Sequence, residues 1–391
     1  MKILFMVDYY QPKLGYGSYY IPRELARLGH NVTIFTSNYY YPFPKYEETA
    51  GKILGSRRIM PGITKENGVT VVRKAMKLEI FTRAIVGGQE EYIRRFKPDI
   101  VIVDKTAGFN QIVASILKNK YKYRLISIDA HLPSGFKAEG NIIVKNIFYW
   151  LFRLFFSKLI NKATDKFIAV QEETVLIIKK YYGVRKKIVH IPLGTDLDLF
   201  NKDPVAGSKI KGKYKITPKD FVIIYTGKVI EEKGVDILFK AINILLGRNK
   251  KLKLLIVGSG SRDYQNYCES KLNKKYLSNA IWVGFKPAKD LYKFYSASDV
   301  AVWPLQESMS MNDAAACGLP FIANHTVGAR LRLSNNNALL YKMGDEKDLA
   351  KKIEYLLLNP SARKQMGARG RQLMENKLSW SKIAKEYISV N

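Results

Sequence analysis

Residues 221–235 read Phe221-Val222-Ile223-Ile224-Tyr225-Thr226-Gly227-Lys228-Val229-Ile230-Glu231-Glu232-Lys233-Gly234-Val235. The run Phe221 to Tyr225 is apolar throughout, as expected of a parallel strand covered on both faces. Glycines and two lysines follow, and a helical stretch runs from Val235 to Leu246. Such a turn between strand and helix favours anions, because backbone N–H groups, the helix dipole and both ammonium groups act in the same direction. Lys228 and Lys233, beside Gly227, are therefore candidate ligands for a diphosphate. The bland alternative is that they are solvated surface charges in a basic chain.

Downstream the alternation continues. Leu252 to Val257 is a strand closed by Gly258-Ser259-Gly260, Ile281 to Val283 another, and Val300 to Trp303 and Leu319 to Ala323 two more, with helices near Asp290 to Ala297 and Asp313 to Cys317. Upstream, an equivalent series opens the chain. Ile3 to Val7 is followed by a Gly- and Pro-bearing loop from Gln11 to Ser18, a helix through Leu28 and the strand Val32 to Thr36, then Ile100 to Val103, Leu125 to Ile128 and Phe167 to Val170. Two α/β series predict two doubly wound Rossmann-like domains facing a central cleft, over 1–193 and 194–375. A C-terminal helix of about 376–391, anchored by Trp380, is expected to pack back on the first domain. Tyr39 to Lys74, rich in Tyr, Pro and Gly, reads as a long functional loop or insertion, or as decorated surface.

The 391 residues suit two domains at roughly 150 residues each. With 47% hydrophobic and 12% aromatic residues the chain has ample core material. Its 65 Lys+Arg against 34 Asp+Glu give a formal charge of +31, which draws it toward anionic partners. Without a recognisable nucleic-acid module, nucleic acid is not the expected partner. Cys268 and Cys317 are too few for a disulfide framework, and the N-terminus MKILFMV reads as a strand, so a cytoplasmic protein is expected.

The second polar loop is Trp303-Pro304-Leu305-Gln306-Glu307-Ser308-Met309-Ser310-Met311-Asn312-Asp313, leading to Ala316-Cys317-Gly318-Leu319-Pro320. A carboxylate such as Asp313 in the first turn of a helix can accept both hydroxyls of a ribose, or can simply stabilise its own helix dipole. Ser308 to Ser310 would offer backbone N–H groups.

Together with Gly15, Ala169-Val170-Gln171-Glu172 and Ile191-Pro192-Leu193-Gly194-Thr195-Asp196, these stretches resemble the retaining glycosyltransferases of family four, which have the GT-B architecture. The resemblance implies that Gly15 and Gly17 approach the donor phosphates, that Lys228 and Lys233 neutralise the diphosphate, and that His131 lies close to the donor sugar. His30, His190 and His325 are read as structural. The family's acidic pair is two Glu separated by seven residues; here Asp313 holds the second position, Leu305 stands eight before it, and Glu307 only six before it. Asp313 is the implied ribose partner, with Glu307, Ser308, Met309 and Ser310 near the sugar and the backbone near Gly284 and Phe285 near the base. The reaction implied is retaining transfer of a sugar from a nucleotide-diphosphate donor to an acceptor hydroxyl, with no metal or other cofactor.

Ile142 to Ile160 is apolar but carries Lys145, Arg153 and Lys158, which argues against spanning a membrane. On a helical period Asn146, Arg153, Ser157 and Asn161 share one stripe, opposite Phe148, Phe152, Phe155, Phe156 and Leu159. That aromatic side fits either an anionic membrane at the inner face, with a lipid-linked acceptor or growing glycan, or the first domain's own sheet. Two other functions would use the same features: a nucleotide-sugar epimerase working without an acceptor, and a non-catalytic basic protein that binds nucleic acid or membrane.

Overall fold

A computed structural model describes residues 1–12, 14–43, 46–48, 50–80, 82–131, 142–248, 251–306, 308–324 and 333–389. The chain divides into two units, Met1–Leu193 with Trp380–Asn391, and Gly194–Ser379.

The first unit is built on β1 (Lys2–Met6), β2 (Asn31–Ser37), β3 (Gly62–Glu66), β4 (Val69–Lys74), a separate hairpin β5 (Met76–Ile80) and β6 (Arg83–Val86), then β7 (Ile100–Asp104), β8 (Arg124–Asp129), β9 (Lys166–Ala169) and β10 (Ile188–His190). The main sheet has the order β10-β9-β8-β7-β1-β2-β4-β3, parallel except for the β3–β4 edge. The chain winds outward from β1 through β2 on one side and from β7 on the other, so the loops after β1 and β7 flank the point where the winding reverses. The segment Tyr39 to Lys74, expected to be loop, contributes two strands: Val71 and Val72 are buried, and β4 pairs in parallel with β2. Its Gly, Pro and Tyr content hid them, because those residues punctuate the turns and leave only a short β-branched run.

Trp380 opens the helix Trp380–Ile388, is 2% exposed and stacks on Tyr20 with ring centroids 5.0 Å apart. Residues 376–379 fall with the second unit, so the return to the first begins at Trp380. Cations close this helix's C-terminus: Arg124 Nη1 donates to Ile388 O and Lys166 Nζ to Glu386 O, both at 2.8 Å.

The helix Ile142–Ala163 corrects the sequence reading in part. Phe152 is buried, and Phe148 and Phe156 pack beside it with Tyr149, Ile160 and Tyr182, so much of the aromatic side is core. The stripe read as the polar side divides: Asn146 and Arg153 are exposed as expected, while Ser157 and Asn161 are half-buried against protein. Arg153 Nη1 donates to Lys180 O, and Asn161 Nδ2 donates to Gly183 O at 3.0 Å while its Oδ1 accepts from Arg185 N. Phe155, read on the same aromatic side, is 66% exposed and stays outside that core.

The second unit holds β11 (Phe221–Thr226), β12 (Leu252–Val257), β13 (Ala280–Trp282), β14 (Val300–Trp303), β15 (Phe321–Asn324) and β16 (Ala338–Tyr341), all parallel in the order β13-β12-β11-β14-β15-β16. Every residue of β11 is buried, as its unbroken apolar run requires. Here the winding reverses between β11 and β14, whose loops carry the residues singled out from sequence.

Candidate functional site

In the second unit the turn after β11 is held by its own side chains. Tyr225 Oη donates to Lys228 O at 2.6 Å, and Trp303 Nε1, at the end of β14, donates to Thr226 O at 2.9 Å. Lys228 is exposed and Lys233 half-buried on this turn. Gly234, which precedes the helix Val235–Leu246, has φ +66°, and a Cβ there would lie 2.5 Å from Leu305 Cγ. Only glycine satisfies both conditions. Leu305 stands where the resemblance implies an acid, and its side chain packs against Gly234 in place of that role.

A second glycine contact joins the turn to the one after β12. A Cβ on Gly258 would sit 1.8 Å from Gly227 O, and one on Gly260 1.8 Å from Val229 O. Val229 N donates to Ser259 O at 2.9 Å and Gly258 N to Gly284 O at 3.0 Å. Gly227, Gly258 and Gly284 thus form a backbone ladder at the strand ends, with Phe285 55% exposed beside it. Gly258 and Gly260 were legible as a strand stop but not as this contact.

Asp313 lies in the helix Ser310–Ala316 and accepts a hydrogen bond from Thr195 Oγ1 at 2.7 Å. Thr195 was quoted in the sequence resemblance without a role, and the structure supplies one: it orients the carboxylate. The amide of Ser310, expected to face a ligand, is taken by Ser308 Oγ at 3.3 Å. A serine beginning a helical turn competes for local N–H groups, and that interaction wins here. Ser308 and Met309 accept, through their carbonyls, from Met311 N and Asn312 N. Glu307 and His325 lie outside the described residues. The one Asp-x-Asp near this site, Asp196-Leu197-Asp198, is a turn in which Asp196 Oδ1 accepts from the amides of Asp198 and Leu199. Among the described residues no three His, Cys, Asp or Glu side chains are grouped to hold a metal ion.

In the first unit a cavity of about 300 Å³ opens at the reversal point, lined by Asp8 and Tyr9 after β1, Asp104 and Lys105 after β7, and His131 after β8. Gly17 lines it from the start of the helix Gly17–Arg27; Gly15, at φ +74°, turns the chain just before and does not line it. Tyr9, Tyr16, Tyr41 and Phe43 form an aromatic wall, Tyr9 and Tyr41 edge to face at 5.6 Å. Lys105 Nζ lies 5.5 Å from the Tyr9 ring centre, donates to Thr82 O at 2.7 Å and stands 3.6 Å from Asp8 Oδ2. It is held at φ +78°, unfavourable for a non-glycine residue.

His131 Nδ1 lies 2.7 Å from Asp129 Oδ1, and Asp129 Oδ2 accepts from Thr106 N. Burial works to raise the Asp129 carboxyl, but the charge and hydrogen bonds of His131 outweigh it and hold it below the ordinary value. An ionised Asp129 puts the His131 ring proton on Nδ1. Asp104 is pushed up to about 6, by burial first and by the neighbouring carboxylates of Asp129 and Asp8, against the pull of Lys105. Asp8 is raised by burial, opposed by Lys105 and Arg83. Sequence reading missed these carboxylates, although each stands at or just after the end of a parallel strand.

Each α/β unit has a reversal point of the kind where doubly wound folds bind ligands, and the comparisons place this pair of units in a known class. The Glycosyltransferase Family 4 model matches residues 18–199 and the Glycosyl transferases group 1 model matches 208–373. The chain belongs to this glycosyltransferase family, and its fold is GT-B. It is 29% identical over 236 residues to the capsular polysaccharide biosynthesis glycosyltransferase CapM of Staphylococcus aureus, covering 58% of this chain and 61% of that protein. It is 27% identical over 232 residues to a GDP-mannose-dependent monoacylated phosphatidylinositol monomannoside mannosyltransferase of Corynebacterium glutamicum, covering 56% and 60%. The matched stretches thus span about three fifths of those relatives. Among solved structures, sucrose-phosphate synthase of Thermosynechococcus elongatus covers 99% of this chain and 97% of its own at 17% identity and a TM-score of 0.68. Anabaena HepE in complex with UDP covers 99% and 98% at 16% identity and 0.68.

Proposed function

We propose that this chain transfers a glycosyl group from a nucleotide-diphosphate sugar to an acceptor hydroxyl, with retention at the anomeric carbon and without a metal ion. One observation carries the reading: past the carboxyl ends of the second unit's parallel strands stand Lys228 and Lys233 after β11, Gly258 after β12, Gly284 after β13 and Asp313 in the helix after β14. The lysines would neutralise the diphosphate, the bare backbone would let it approach, and the carboxylate would take the ribose diol. As the glycosidic bond breaks, negative charge grows on the leaving diphosphate and positive charge on the sugar; the ammonium groups favour that separation. In the retaining course the acceptor attacks from the face the diphosphate leaves, and a departing phosphate oxygen takes its proton.

The acceptor is a lipid-linked sugar or a growing glycan, received by the aromatic cavity of the first unit. Rings such as Tyr9 and Tyr41 suit the apolar face of a sugar, and Asp8 and Asp104 its hydroxyls. Support comes from relatives named for capsular polysaccharide synthesis and for a phosphatidylinositol mannoside acceptor, and from a neighbour solved with UDP-glucose.

The test is an assay of nucleotide release from UDP-glucose and GDP-mannose, with and without a lipid-linked acceptor and with a chelator present. Acceptor-dependent, chelator-resistant release, with a product of the donor's anomeric configuration by NMR, is expected. Inverted product would overturn retention, chelator sensitivity the metal-free reading, and epimerised donor without acceptor the transfer itself.

A further inference from the structure

The helix Ile142–Ala163 leaves one face that the core does not use. Ile147, Trp150, Leu151, Leu154 and Phe155 are between 39% and 66% exposed. At 100° per residue they share one arc with Lys158 and Lys162, away from buried Tyr149, Phe152 and Ile160. A single exposed apolar residue is ordinary, whereas five contiguous ones that include a tryptophan and a phenylalanine form an unpaired ridge.

Its surroundings identify the partner. The hydrogen bonds from Arg153 to Lys180 O and between Asn161 and both Gly183 O and Arg185 N fasten the turn 179–187 along the helix. That turn exposes Lys179, Lys180, Arg185 and Lys187, while Lys186 Nζ bends inward onto Thr164 O. Neither the helix nor the turn contains an acidic residue. A second copy of this chain seated on the ridge would set these cations against their own kind. An anionic surface would not, and the chain's charge of +31 draws it there. No helix of the described residues is long and apolar enough to cross a membrane, so the fitting geometry lies in the interface.

We propose that this face docks the first unit on an anionic bilayer. The five apolar side chains enter the boundary between headgroups and acyl chains, with Trp150 at the depth tryptophan favours, and the lysines and Arg185 meet lipid phosphates. Docking needs no nucleotide and no transfer, so it stands or falls apart from the activity proposed above.

The test is flotation of the full chain with vesicles of phosphatidylcholine alone or mixed equally with phosphatidylglycerol. Binding to the mixed vesicles only, weakened by salt, is expected. Trp150→Glu with Phe155→Glu, and separately Lys179→Glu with Lys180→Glu and Arg185→Glu, should each cut partition at least about tenfold. Thermal unfolding and nucleotide-diphosphate affinity should stay at wild-type values, since these side chains are exposed and outside the candidate site. Trp150→Phe should float like wild type but lose most of the vesicle-induced blue shift in emission. Absence of wild-type flotation, wild-type partition in either charge-altered variant, or a dimer that Trp150→Glu dissolves without any flotation would overturn the proposal.

Discussion

Thr195 Oγ1 donates to Asp313 Oδ1 at 2.7 Å, joining residues 118 positions apart. Thr195 is 1% exposed and its own N–H is bonded to Leu378 O, so the hydroxyl is fixed and the carboxylate is oriented before any ligand arrives. Thr195→Val keeps the volume and removes the donor. It should cost about 1–3 kcal/mol of unfolding free energy in denaturant titrations. It should also weaken nucleotide-sugar binding by calorimetry, with Thr195→Ser restoring both. Unchanged affinity in Thr195→Val would separate Asp313 orientation from binding.

Lys233→Ala and Lys228→Ala each remove one ammonium group from the turn after β11. A charge-assisted hydrogen bond contributes about 1.5–3 kcal/mol, so each change should weaken a nucleoside diphosphate by roughly 10- to 100-fold. Binding of the bare nucleoside should hardly change. Titration of UDP against uridine reads the difference, and equal losses for both would remove the lysines from the diphosphate.

The glycine ladder predicts a contrast in stability. Gly258→Ala and Gly260→Ala each drive a Cβ to 1.8 Å from a backbone carbonyl oxygen and should lose at least about 3 kcal/mol. Gly212→Ala, in the helix Pro204–Lys213 with open space around its Cα, should gain about 0.5–1 kcal/mol. Chemical denaturation of the three variants measures this directly.

Asp104 gives a pH signature. Its folded pKa of about 6 exceeds the ordinary 3.8, so the folded protein binds the proton more tightly than the unfolded chain. The penalty is full above pH of about 6, shrinks as pH falls through the interval, and is gone below about 4. Asp104→Asn should therefore stabilise the protein by at most about 3 kcal/mol near neutral pH, with the gain vanishing toward acid. Melting curves across that range test it, and a pH-independent difference would contradict the account.

Much of the donor half was readable because its chemistry is local. The apolar run of β11, Gly227, Lys228, Lys233 and Gly234 are neighbours in sequence, and a strand followed by a cationic turn and a helix is itself the binding element. The first unit was less readable. Asp8, Asp104 and Asp129 lie far apart in the chain, each ordinary in its own segment, and become one cluster only because β1, β7 and β8 are adjacent in a sheet. Val71 and Val72 failed to register as strand for a related reason: five residues of β4 are paired by β2, a partner more than thirty positions away.

The helix Ile142–Ala163 marks the same boundary. Its sequence determined that it would be helical, apolar and basic, because those properties follow from composition and period. Which arc turned inward was decided by the packing of Tyr149, Phe152 and Ile160 into the core, while the backbone of Lys180, Gly183 and Arg185 binds Arg153 and Asn161 along the edge of the polar stripe. The sequence alone likewise determined two parallel α/β units and the anion-suited turn at Lys228 and Lys233. Tertiary structure decided the rest: Leu305 packed on Gly234, Thr195 on Asp313, and Asp8 and Asp104 on one cavity with Asp129 buried behind its His131. Periodicity and turn chemistry are properties of neighbours in the chain, whereas these contacts depend on which strands the winding of each sheet sets side by side.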